Sequence, residues 1–247
     1  RYWSISQYKR FKECEARALA ELRGDWTDTR DNTALLVGNY VHSYFESKAV
    51  HEEFKAQNGS EMISTRGATK GQLKKDYLVA EQMIDALKSD SNFMAIYQGE
   101  KEAAITGFLG EIEFKGKIDC LNVERGYFVD IKTTKGQIDD TIWNGEERVR
   151  WFEAYGYILQ MAAYKNMLEA KYNKPFEPII YAVTKETPPD TRAIRIQNVD
   201  AMQMELDSLA QSIKRLDDVK KGIEKPKPCG KCEYCRQNKL SVRVEIF

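Results

Sequence analysis

The stretch GKIDCLNVERGYFVDIKTTK, residues 116–135, decides the fold. Two apolar runs flank a tight turn at Glu124-Arg125-Gly126-Tyr127, the pattern of a β-hairpin. Each run carries an aspartate where a buried strand would carry Val or Ile. Asp119 lies in the first run, Asp130 in the second, and Lys132 follows two residues later. Residues i and i+2 of a strand share a face, so Asp130 and Lys132 point one way and Ile131 the other. A two-residue turn at Arg125-Gly126 pairs Glu124 with Tyr127, Leu121 with Asp130 and Asp119 with Lys132. That register places all three ionisable groups on one face, within about 5 to 8 Å of one another. Two carboxylates at one apolar place repel unless something neutralises them. Mg²⁺ does so, taking one or two carboxylates plus waters and phosphate oxygens. Lys132 would then orient or activate a water, or stabilise charge on a phosphate. From the hairpin alone, a structural Asp–Lys ion pair is an equal explanation.

Outward from the hairpin, residues 100–134 alternate and are broken by Gly107, Gly110, Gly116 and Gly126, which predicts a run of antiparallel strands. Upstream, helices are expected over 4–24, 32–57 and 72–89, with a Gly-rich polar loop over 58–71. Downstream come a helix over 151–172, strands over 178–185 and 193–197, and a helix over 199–219. This order is that of a mixed α/β domain. We treat 1–247 as a single domain: a helical part over 1–90, a core over 100–200, and a Cys-rich tail over 225–247 packing back on the first helix.

The 38 basic and 38 acidic residues cancel, so any DNA-binding surface must be local. No segment approaches the roughly 18 apolar residues of a membrane span. No secretory leader is visible in a sequence that begins at Arg1. Five cysteines without secretory context fit a reducing, cytoplasmic compartment with thiols free or metal-bound.

Three further elements stand out. LLVGNYVHSYFE, residues 35–46, sets His42 on an apolar helix, one of only two histidines. A lone helical histidine is more often structural than a ligand. Gln160 and Tyr164 lie at i and i+4 and project together from one helix face. PCGKCEYC places Cys229, Cys232 and Cys235 at two-residue gaps, the spacing of a metal knuckle, with Cys14 as the candidate fourth ligand. Cys120 reads as a small core residue. Glu102, one strand before the hairpin, reads as solvent-facing, with a supporting acid as the alternative. Arg148, Arg150 and Trp151, and the basic tail with Lys220, Lys221 and Arg243, suit either phosphate tracking or an ordinary solvated face.

Taken in order, Gly38-Asn39-Tyr40-Val41-His42, Gly116-Lys117-Ile118-Asp119, Val129-Asp130-Ile131-Lys132-Thr133-Thr134 and Gln160-x-x-x-Tyr164 resemble the PD-(D/E)XK nuclease superfamily. The resemblance is to its RecB-like branch and, within that, the RecE (exonuclease VIII) type. It runs from about 38 to 164, and the cysteine pattern extends it to nearly the whole chain. Ile118 stands where the family pattern has proline. The resemblance implies a restriction-endonuclease-like core, a central mixed β-sheet flanked by helices, with a helical N-terminal region and a C-terminal Cys cluster. It implies Asp119, Asp130 and Lys132 as catalytic residues, and His42, Asp119, Asp130 and the Ile131 carbonyl as ligands for Mg²⁺ or Mn²⁺. Gln160 and Tyr164 would contact DNA and support the site. One N-terminal cysteine with three C-terminal ones resembles the iron–sulfur staple of some of these nucleases, although its last gap is narrower here. Cys₄ ligation by Cys14, Cys229, Cys232 and Cys235 suits a [4Fe–4S] cluster, and tetrahedral Zn²⁺ nearly as well. The implied activity is 5′-to-3′ hydrolysis of linear double-stranded DNA in phage-type recombination, in a ring-like homo-oligomer beside a single-strand annealing protein. A structure-specific endonuclease of the same fold and a non-catalytic DNA-binding metal protein are the alternatives.

Overall fold

The computed structural model describes residues 2–239. The first expected helix is two, α1 (Ile5–Glu13) and α2 (Glu15–Arg23). Cys14 divides them: its backbone is extended, with φ −164° and ψ 106°, and its sulfur caps α2 by accepting from Arg17 N–H. Ser4 caps α1 and Gly24 closes α2, as the pattern predicts. The second stretch is likewise two helices, α3 (Thr33–Glu46) and α4 (Lys48–Met62). They part at Ser47, whose extended backbone stops α3 and whose hydroxyl caps α4. The polar residues from Asn58 to Met62 therefore belong to a helix, and the loop holds a short 3₁₀ turn at Gly67–Thr69. Next come α5 (Lys75–Ser89) and α6 (Ser91–Ile96), the latter capped by Asp90.

The strands β1 (Glu100–Leu109), β2 (Ile112–Asn122) and β3 (Tyr127–Thr134) follow. A small hairpin, β4 (Thr141–Trp143) with β5 (Arg148–Arg150), stands where the sequence pattern gave no strand. The long helix over 151–172 divides into α7 (Trp151–Ala154) and α8 (Tyr157–Tyr172), because Gly156 turns the chain at φ 63°. The chain continues through β6 (Glu177–Thr184), β7 (Thr191–Arg195), α9 (Val199–Lys220) and α10 (Glu233–Gln237).

Five strands form one mixed sheet in the order β1-β2-β3-β6-β7. The β3–β6 pair is parallel and the other pairs are antiparallel. One face packs Phe128 and Ile180 among side chains of α1, α8 and α9. The other packs Val129, Ile131 and Tyr181 among those of α3 and α5. This sandwich makes the two strands of the quoted hairpin apolar on both sides.

The hairpin turn is longer than expected. Asn122, not Glu124, pairs with Tyr127, so the loop is Val123–Gly126 and Leu121 meets Phe128. The Asn122 side chain accepts from Arg125 N–H at 2.9 Å, an Asx turn, and Gly126 takes φ 71°. The slip of two residues preserves the alternation of faces. It moves Asp119 from opposite Lys132 to beyond the last β2–β3 pair, Cys120 with Val129.

The chain ends are tied across the fold. Trp3 is buried and donates through Nε1 to Asp217 of α9 at 2.9 Å. Lys220 bonds Tyr2 O and the Gln7 side chain, and Lys221 pairs with Asp217. Arg148 bonds Thr141, Arg150 bonds Ile138 O, and Trp151 is buried. These side chains serve the fold rather than a phosphate track; Arg243 lies outside the described residues. No helix among the described residues is long and apolar enough to cross a membrane.

Burial opposes the Asp217 carboxylate, but its bonds to Lys221 and Trp3 outweigh burial and hold its pKa below the ordinary 3.8. Asp217→Ala leaves the Trp3 N–H unsatisfied and should lower the unfolding free energy by about 1–3 kcal/mol in urea titrations. Because the folded pKa is depressed, that contribution is complete above pH 3.8 and is lost as pH falls through the lower folded value. The gap between wild type and variant should therefore narrow in acid.

Candidate active site

The site forms where β2 parts from β3 and its ladder with β1 is interrupted at one pair. The β1–β2 register pairs Lys101 with Cys120 and Ala103 with Ile118 but skips Glu102 and Asp119 between them. Glu102 sits at φ 52°, a strained conformation for a residue with a side chain. Ile118 packs on one face of the sheet and Cys120 on the other. Asp119, between them, aims its carboxylate across the gap to β3, where Oδ2 accepts from Ile131 N–H at 2.6 Å. His42, from α3, brings Nδ1 to 3.1 Å from the same oxygen. Ligand atoms of His42, Glu102 and Asp119 all lie within 4.8 Å of one another.

Asp130 and Lys132 occupy the β3 face covered by α8. Gln160 donates to Asp130 Oδ1 at 2.7 Å, and Lys132 pairs with Oδ2. The buried Oδ2 is thus held by the Lys132 ammonium and Oδ1 by the Gln160 amide. Lys132 Nζ lies 4.7 Å from the centre of the Tyr157 ring, and Lys9 Nζ, reaching over from α1, lies 5.0 Å from it. Tyr164 packs its ring on Gly116, where a Cβ would meet Tyr164 Cε1 at 2.5 Å, so only glycine fits.

The two aspartates are tuned apart. Burial raises the pKa of Asp119, but His42 outweighs it, and the carboxyl falls below its ordinary value. Burial opposes an imidazolium at His42, but Asp119 outweighs it and raises that pKa. At Asp130 burial wins, with repulsion from Asp119, over the attraction of Lys132, and the pKa rises. Burial opposes the Lys132 ammonium, yet Asp130 and Asp119 outweigh it and push its pKa up. Lys132 is thus a fixed cation at neutral pH.

Glu102 corrects the sequence expectation. Its side chain is 12% exposed and pairs with Lys117 at 2.6 Å, so it faces the site rather than solvent. Neither Glu102's conformation nor the skipped pair has a signature in the sequence. Tyr157 also went unnoticed, hidden among ordinary core aromatics. Of the residues expected to gather, His42, Asp119, Asp130, Lys132 and Gln160 do so; Tyr164 stands one turn further along α8, and Ile131 presents its N–H to Asp119.

The donors suit a hard divalent cation such as Mg²⁺ or Mn²⁺: the Glu102 and Asp119 carboxylate oxygens and the His42 imidazole, with Asp130 paired to Lys132 outside this set. Three carboxylates and the Lys132 ammonium leave two negative charges once His42 is neutral, and one such ion cancels both. Lys117 approaches Glu102 from the rim but is 58% exposed, so water screens it.

Apart from this site, the Cys14, Cys229, Cys232 and Cys235 sulfurs lie within 4.8 Å of one another, and all are free thiols. Burial opposes the Cys229 thiolate, but N–H groups of Lys231 and Cys232 outweigh it and bring its pKa down to about 6. Cys120 is fully buried in the core, away from this set.

Residues 4–238 match the family described as a PDDEXK-like domain of unknown function (DUF3799). The chain belongs to this PDDEXK-like family. A crystal structure of a proposed exonuclease from Eubacterium rectale is similar over 100% of this chain and 91% of its own, at 31% identity and a TM-score of 0.87. A second solved structure, SSO0001, aligns over 92% of this chain and 94% of its own at 13% identity, but its TM-score of 0.32 is too low to bear on the fold. No curated protein matches. The PDDEXK-like core is the mixed sheet with its flanking helices, and the skipped pair lies within it.

Glu102→Gln removes a charged ligand while retaining the shape of the side chain. We expect it to weaken Mn²⁺ binding at least about tenfold in calorimetric titration, since even supporting residues of metal sites contribute that much. The Tm of the metal-free chain should stay near wild type. Unchanged affinity would exclude Glu102 from the site.

Proposed function

We propose that this PDDEXK-like chain is a metal-dependent deoxyribonuclease that degrades linear double-stranded DNA from its ends. The observation that carries this is the convergence of His42, Glu102, Asp119 and Lys132 in one open cleft, with Asp130 buried behind Lys132. The cleft has a volume of about 740 Å³ and lies between α3 and the carboxyl ends of β3 and β6. The RecE-type resemblance adds 5′-to-3′ polarity and a place beside a single-strand annealing protein in phage-type recombination.

Nucleic acid suits the walls of the cleft. Lys135 and Lys185 line it at the ends of the parallel strands, and neither makes an ion pair among the described residues. Burial outweighs the attraction of Asp76 and, with repulsion from Lys135, pulls the pKa of Lys185 down, so a phosphate placed between the two lysines would relieve their repulsion. Tyr155, 53% exposed on the same wall, offers a ring on which a base can stack. A chain with no net charge thus presents a local basic surface above an acidic floor.

Each residue then has a task. His42, Glu102 and Asp119 would hold a divalent ion, which when bound polarises a phosphate oxygen and lowers the pKa of water. Gln160 fixes Asp130 Oδ1, and Oδ2 holds the Lys132 ammonium in place. Lys132, whose pKa Asp130 and Asp119 raise against burial, would present its ammonium to the charge that builds on the phosphate oxygens. Tyr157 beneath it limits where that ammonium can reach.

Incubation of end-labelled linear duplex with Mg²⁺, with and without EDTA, tests the proposal. Label should be released progressively with Mg²⁺ only, and 5′- against 3′-labelled duplexes report polarity. Closed circular duplex should survive; its cleavage would favour the endonuclease alternative. Lys132→Ala should lower the rate by about 10²–10³-fold, the scale for losing one electrostatic stabiliser. Undiminished cleavage by that variant would remove the lysine from the mechanism.

A further inference from the structure

The four-cysteine site tells its own story, independent of the reaction proposed above. Cys14 sits at the junction of α1 and α2, Cys229 and Cys232 lie in the tail loop, and Cys235 lies in α10. The Cys14 and Cys235 sulfurs are 3.5 Å apart, those of Cys229 and Cys235 are 3.9 Å apart, and all four lie within 4.8 Å. A zinc ion about 2.3 Å from each of four thiolates sets the edges of their tetrahedron near 3.8 Å by geometry. A [4Fe–4S] cluster binds each thiolate to a different iron at the corners of a cube, and so holds its sulfurs farther apart than a single shared ion does. The observed separations match the single ion and leave no room for the cube.

The surroundings hold this small tetrahedron. Cys229 N–H points to the Cys14 sulfur at 3.4 Å, and Cys232 N–H to the Cys229 sulfur at 3.3 Å. Arg17 N–H completes the set toward Cys14 at 3.5 Å. Such backbone donors orient thiolates and disperse their charge. Cys14 and Cys235 are 3% and 0% exposed, so two of the four sulfurs are already withdrawn from water. A loop from a third part of the chain leans on the same unit: Trp26 packs on Tyr234 and donates to Gln237, and Thr29 donates to Glu233.

We propose that Cys14, Cys229, Cys232 and Cys235 bind one tetrahedral Zn²⁺ ion, not the [4Fe–4S] cluster that the family resemblance suggests, and that this ion fastens the first helices to the tail. The test is the metal and sulfide content of the full chain, purified without oxygen from cells supplied with both iron and zinc. We expect one zinc per chain that survives gel filtration, no acid-labile sulfide and no visible charge-transfer absorbance. Titration of the wild-type protein with a thiol-reactive mercurial should release that zinc to a chromophoric chelator and shift the emission of Trp26. Cys235→Ser should retain no more than a small fraction of the zinc. Bound iron, with or without sulfide, or a chain that holds no zinc, would overturn the proposal. The mercurial arm needs no variant, so a misfolded Cys235→Ser protein does not leave the question open.

Discussion

The structure turns on the parting of β2 from the strands beside it. Past Cys120 and Val129 the β2–β3 ladder ends, and at Glu102 and Asp119 the β1–β2 register skips a pair. Backbone groups freed inside a fold must find other partners. The Ile131 N–H takes the Asp119 carboxylate, and the Asp119 carbonyl takes the hydroxyl of Tyr97 at 3.1 Å. Glu102 holds a left-handed conformation that costs about 1–3 kcal/mol. In return, the carboxylates of Glu102 and Asp119 meet at one point beside the His42 imidazole. The local strain is intelligible only if that meeting is useful.

Charge supplies the reason. Two unit charges about 4 Å apart interact by about 4 kcal/mol at an effective dielectric of 20. A typical domain is stable by about 5–15 kcal/mol, so uncompensated carboxylates here would consume much of the margin. The fold answers with two different partners: His42 for Asp119, and Lys132 with Gln160 for Asp130. Both partners favour ionisation, but His42 outweighs burial at Asp119, whereas burial and the charge of Asp119 outweigh Lys132 at Asp130, so the two pKa values move in opposite directions. Two identical side chains on neighbouring strands thereby gain distinct chemistry. Lys132 balances Asp130, and the charge left over is that of Glu102 and Asp119 beside His42, which a divalent cation would complete.

How much of this could be read from the chain follows from where each signal resides. The hairpin was legible because aspartates inside apolar runs defy ordinary strand composition. Its register was misjudged by two residues, since Asn122 forms an Asx turn that lengthens the loop, yet an even slip changes no face. The cysteines were legible because thiol spacing is a short-range property. Breaks at Cys14, Ser47 and Gly156 were not, because apolar periodicity runs straight through all three. Glu102 was lost for a deeper reason. Its role depends on a backbone angle and a skipped pair that only the assembled sheet imposes, so no local pattern distinguishes it from any acid on a strand.

The same parting explains why distant ends of the chain matter to the site. Once β3 turns away, β2 would present an open edge, and open edges invite mispairing. The N-terminus covers it: Trp3 bridges Phe114, with Lys115 N–H donating to Trp3 O at 2.7 Å and Trp3 N–H to Glu113 O at 2.9 Å. Tyr164 closes the next step, its ring on Gly116 and its hydroxyl bonded to the Lys117 backbone. Trp3 is in turn held by Asp217, and the helix that follows it ends at Cys14 among the tail cysteines. A force that loosens the tail thus acts on α1, then on the segment sealing the split sheet. The same helix carries Lys9 to Tyr155 and Tyr157 at the cleft wall. One helix, α1, therefore touches the cysteine set at its end and the cleft wall through Lys9, and the segment before it pairs with β2.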